Sequence, residues 1–74
     1  MHKLKRLSAE EVIKRLERLG FYKVRQKGSH IIMKKKVKES EIVCVIPYHK
    51  ELAIGTLKGI LRQAKVDIEE FLKL

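Results

Sequence analysis

Seventy-four residues make room for one small domain, and a chain of this size buries only about 60% of the surface its unfolded form exposes, so folds built around large cofactor crevices are excluded. Charged residues account for 36% and hydrophobic residues for 45%, which is neither a disordered nor a membrane-spanning composition. Lys and Arg number 18 against 9 Asp and Glu, a formal charge of +9, and the single cysteine excludes an intrachain disulfide and a Cys-rich zinc finger.

The segment Met1–Leu7 carries cations, but no apolar run of signal-peptide length follows it. No stretch approaches the roughly 20 apolar residues needed to cross a bilayer. The expected compartment is therefore the cytoplasm, where Cys44 stays reduced.

Ser8-Ala9-Glu10-Glu11 has the form of a capping box. The Ser8 hydroxyl can accept from the Glu11 amide while the Glu11 side chain reaches back. Val12, Ile13, Leu16 and Leu19 share one helical face, and Gly20 supplies a left-handed stop. A helix is predicted from about Ala9 to Leu19. From Phe21 the period changes to two: Tyr22, Val24 and Gln26 alternate with Lys23, Arg25 and Lys27, so a strand with one strongly basic face is expected. Gly28-Ser29 reads as a tight turn. A second strand runs from His30 through Ile31, Ile32 and Met33 to about Lys36.

Lys38-Glu39-Ser40-Glu41 is turn chemistry. The β-branched run Ile42-Val43-Cys44-Val45-Ile46 is a third strand, closed by Pro47. Thr56 then serves as N-cap to a helix bearing Leu57, Ile60, Leu61 and Ala64. Asp67, with Glu70 three residues on, caps a short helix to about Leu72. The order predicts a two-layer α+β domain over residues 1–74, with helices on one face of a three-stranded antiparallel meander. Strands two and three are apolar on both faces, so the second face is covered either by loops and helix ends or by an oligomeric or protein partner.

The charge is segregated. From Arg18 to Lys38 there is no carboxylate and there are eight cations, so twenty-one residues hold eight of the nine net charges. Such a surface suits a polyphosphate partner.

Few residues can carry chemistry. The imidazoles are His2, His30 and His49, and the only aspartate is Asp67. No carboxylate–histidine metal spacing, Walker loop or G-x-G-x-x-G is present, so metal-dependent hydrolysis and nucleotide-cofactor chemistry are not expected, and no cofactor is assigned. A metal-free route to RNA cleavage remains. The 2′-hydroxyl attacks the adjacent phosphate if one group takes its proton, another protonates the leaving oxygen and cations hold the phosphate. Histidine suits the proton transfer because its ordinary pKa is about 6.5. His30 lies between Lys27 and Lys34, just after Gly28-Ser29, whose amides and hydroxyl can bind a phosphate oxygen. Arg25, Lys27 and Lys34 supply charge. The second acid–base group is His49, Lys27 or water, and His49 is also placed among the RNA-binding residues. His2 is assigned no role. Tyr22 and Tyr48 can stack on bases or simply pack, and Cys44 is a core thiol.

Four stretches carry a resemblance: Ser8 to Phe21, Arg25-Gln26-Lys27-Gly28-Ser29-His30, Pro47-Tyr48-His49, and Gly55-Thr56-Leu57-Lys58-Gly59-Ile60-Leu61-Arg62-Gln63-Ala64. In that order they resemble the HicA (YcfA-like) toxins, messenger-RNA interferases of type II toxin–antitoxin systems. The resemblance implies a double-stranded-RNA-binding-like fold, translation-independent cleavage of RNA, a HicB-type antitoxin as partner, and a catalytic histidine at the position of His30. The chain departs from the family pattern in two turns. Lys65 stands where Gly is common, and Lys36 to Glu41 lacks the usual Gly. The alternatives from other classes are a non-catalytic RNA-binding module of the same fold and a protein-interaction domain.

Overall fold

A computed structural model describes residues 4–74 of the chain; His2 lies outside them. The elements run α1 (Ala9–Arg18), β1 (Tyr22–Lys27), β2 (His30–Val37), β3 (Ser40–Pro47), α2 (Ile54–Ala64) and α3 (Ile68–Leu72). The expected α+β order is therefore the observed one. The sheet is antiparallel with strand order β1-β2-β3.

Helix α1 starts and stops on its sequence signals. The Ser8 hydroxyl accepts from the Glu11 amide at 3.1 Å. The reciprocal half of the capping box is not made, because the Glu11 carboxylate instead accepts from Arg15 Nε at 3.2 Å, one turn on. At the other end Gly20 has φ +101°. Its amide donates to the Glu17 carbonyl, and the Phe21 amide donates to Leu16. That pair of bonds is a Schellman closure, and the left-handed residue in it favours glycine. Phe21 and Leu16 meet in the core behind it.

Both helices lay their buried faces on the side of the sheet that presents Ile31, Met33, Cys44 and Ile46. Val12, Ile13 and Leu16 come from α1, and Leu57, Ile60, Leu61 and Ala64 from α2. Cys44 is enclosed there, as expected, and burial pushes its thiol up to about 11. Phe71 of α3 is fully buried in the same cluster, with the Arg15 guanidinium over its ring at 5.2 Å.

Two predicted caps are corrected. Helix α2 begins at Ile54 with Ala53 at the N-cap position and no side-chain bond there, so Thr56 lies inside the first turn rather than before it. The start is fixed by the preceding chain: the Leu52 amide donates to the Leu7 carbonyl at 2.8 Å, seating Leu52 in the core one residue early. Asp67 does occupy the N-cap position of α3, but its carboxylate makes no capping bond. Lys65 ends α2 in the left-handed conformation at φ 58°, with the Lys65 and Val66 amides closing onto Arg62 and Leu61.

The sheet face away from the helices carries no element among the described residues. Ile32 and Val45 on it are half-buried and Val43 is exposed. Of the two expectations for this face, helix ends and loops among the described residues leave Val43 exposed and Ile32 and Val45 only half-covered.

Candidate nucleic-acid interface

The turn between β1 and β2 places the candidate residues. Gly28 has φ +61° and Ser29 a negative φ, the sign pattern of a type II′ hairpin, which wants glycine first. The Gln26 side-chain amide braces the turn by donating to the Gly28 carbonyl at 3.0 Å. His30 is then the first residue of β2, directly opposite Lys27 on β1 and Pro47 on β3. Its side chain is exposed and lies on the outer face, because Ile31 after it points into the core.

Cross-strand register assigns the rest. Arg25 faces Ile32 and Lys27 faces His30, so both cations share the outer face with the histidine. Lys23 does not. The ladder shifts between Lys23 and Arg25, and this β-bulge at Val24 turns Lys23 to the helix side, opposite Met33. The expected continuous basic face of β1 is therefore reduced to Arg25 and Lys27, and Lys23 instead lines a cleft with Glu10, Ile13, Lys14, Glu17 and Tyr48. Lys34 is on the outer face, but its ammonium sits 3.4 Å from Glu41, which shares its charge. Among the described residues Arg25 and Lys27 enter no ion pair, which leaves their charge free for a ligand.

His49 is held by its main chain. Its carbonyl accepts from the Ala9 amide at 2.9 Å and its amide donates to the Pro47 carbonyl at 2.9 Å. The side chain is exposed in a cleft with Ser8, Glu10, Tyr48 and Lys50; His30 is not among the lining residues. The structure thus groups His30, Lys27, Arg25, Gly28 and Ser29, and holds His49 at the start of α1, two residues beyond the Pro47 that pairs with His30. Sequence reading missed Glu10 and Gln63. The Tyr48 hydroxyl donates to Glu10 at 2.5 Å, and Gln63 accepts from the Val45 amide at 3.0 Å. Both are long-range pairings with no local spacing to announce them. Among the described residues no group of three or more His, Cys, Asp or Glu side chains converges as a metal site. No helix among them is long and apolar enough to cross a membrane.

Fold and charge together define a small α+β protein with one cationic, partly apolar sheet face. The family model for the HicA toxin of bacterial toxin–antitoxin systems matches residues 9–66, and the chain belongs to that family. Membership implies an antitoxin as partner. No curated protein matches the chain.

Proposed function

We propose that this protein is the toxin of a type II pair and a metal-independent endoribonuclease acting on messenger RNA in the cytoplasm. The observation that carries the reading is the position of His30: exposed, beside a glycine turn, and in register with the unpaired Lys27. The imidazole takes the proton of a ribose 2′-hydroxyl as that oxygen attacks the neighbouring phosphorus. The 5′-oxygen leaves with a proton from the second acid–base group, His49, Lys27 or water, and a 2′,3′-cyclic phosphate remains. Lys27 and Arg25 hold the charge gathering on the phosphate, with Lys34 contributing less because Glu41 competes for it. The Gly28-Ser29 turn offers amides and a hydroxyl to a phosphate oxygen. A positioned acid or base contributes about 10²–10⁴-fold. A HicB-type antitoxin covers this cationic outer face and shields Ile32, Val43 and Val45.

Purified protein incubated with RNA in EDTA tests the reading. The expected products end in 2′,3′-cyclic phosphate, and a substrate with deoxyribose at the cut site stays intact. Cleavage of that substrate, or dependence on added metal, contradicts it.

A further inference from the structure

The sheet has two edges, and they are unlike. The β3 edge is capped at one point: Gln63 on α2 takes the outward amide of Val45 at 3.0 Å. Among the described residues the β1 edge is open, with all six residues from Tyr22 to Lys27 exposed and β2 the only strand beside it.

Ladder alternation says which groups face the opening. Since the Val45 amide points off the sheet, its partner Ile32 turns its own polar groups the other way, to Arg25 on β1. Arg25 and Lys27 therefore bond to β2, and Gln26 between them presents its amide and carbonyl outward. We propose that this open edge of β1 takes an extended acidic segment of a protein partner as a fourth strand.

Charge selects the occupant. Lys23, Arg25 and Lys27 are exposed on β1 and enter no ion pair among the described residues. Two copies joined through β1 would set three cations against three, and like charges across a strand pair repel. Cations and a bulge are the usual protection of an edge against its own kind; here they also make it selective for a strand of the opposite sign. Tyr22 and Val24, 42% and 43% exposed, give such a strand apolar surface to cover. A polyphosphate would satisfy the cations but carries no peptide ladder to pair with the Gln26 amide and carbonyl in register. An added strand satisfies the donor and the acceptor together. The inference rests on the partner being a protein, as membership of a toxin–antitoxin family implies, and is independent of the cleavage chemistry.

The test uses the full chain and a short capped peptide alternating Glu and Val, with a Lys-Val peptide as control. The acidic peptide should bind and slow amide exchange at Gln26 roughly two- to tenfold, the range set by one net main-chain hydrogen bond, while Arg25 and Lys27 amides stay unchanged. Gln26→Pro deletes the outward donor without touching the ladder to β2 and should abolish binding; Gln26→Ala should retain it. If Gln26→Pro fails to fold, exchange in the unaltered chain decides. Binding with Gln26 exchange unmoved, equal binding of the Lys-Val peptide, or no peptide binding overturns the inference. So does a chain that ignores the peptide and binds only single-stranded RNA through these cations. None of these outcomes bears on whether the protein cuts RNA.

Discussion

The amide of Tyr48 donates to the carbonyl of Ser29 across 2.6 Å. This bond ties the segment leaving β3 to the turn that delivers His30. The same segment is held to α1 twice more, through the Tyr48 hydroxyl on Glu10 and the His49 carbonyl on the Ala9 amide. Pro47-Tyr48-His49 is therefore the joint at which turn, sheet and first helix meet.

That joint has a pH signature. The bond to Glu10, and then the negative charge of that carboxylate, hold the Tyr48 hydroxyl above its ordinary value. The fold favours the neutral hydroxyl, so the contact stabilises the protein below the ordinary tyrosine pKa of about 10 and is lost as pH rises through the raised value. In a Tyr22→Phe background only Tyr48 reports. There Glu10→Gln should lower the midpoint of tyrosinate absorbance. A midpoint that stays put would deny the Glu10 contact.

Two lysines sit where the backbone favours glycine, Lys38 at φ 51° and Lys65 at φ 58°. A side chain in the left-handed region costs about 1–2 kcal/mol, part of which glycine gives back in unfolded-chain entropy. Lys38→Gly and Lys65→Gly should each stabilise by about 1 kcal/mol, or about 4–8 °C in Tm. Urea midpoints that fall in both variants would contradict this.

Phe71 lies beyond the family match, which ends at residue 66, yet it is fully buried. Phe71→Ala should cost about 3–5 kcal/mol, a large share of the roughly 5–15 kcal/mol a small domain possesses. Removal of α3 should therefore leave a chain that melts far below the intact one. A truncation that melts like the intact protein would mean that the ring closes nothing.

Where a signal was local, it was legible in the sequence. Ser8 and Gly20 bound α1, Pro47 ends β3, and the change of period after Gly20 marks the sheet. The bulge at Val24 was not legible, because Tyr22 to Lys27 alternates without a break and only the pairing with Met33 and Ile32 shows the shift. Thr56 looked like a cap, but Leu52, pinned to Leu7, sets the start of α2 earlier. The cluster around His30 followed from proximity along the chain. The partners Glu10 and Gln63 are separated by 38 and 18 residues from the groups they hold, so only the fold brings them in.

The most direct measurement is RNA cleavage by His30→Ala beside the unaltered protein. His30 is exposed, so its removal should leave stability within about 0.5 kcal/mol and RNA affinity close to the original. Cleavage should fall by about 10²–10⁴-fold. If the variant cuts RNA at the full rate, the imidazole is not the proton carrier.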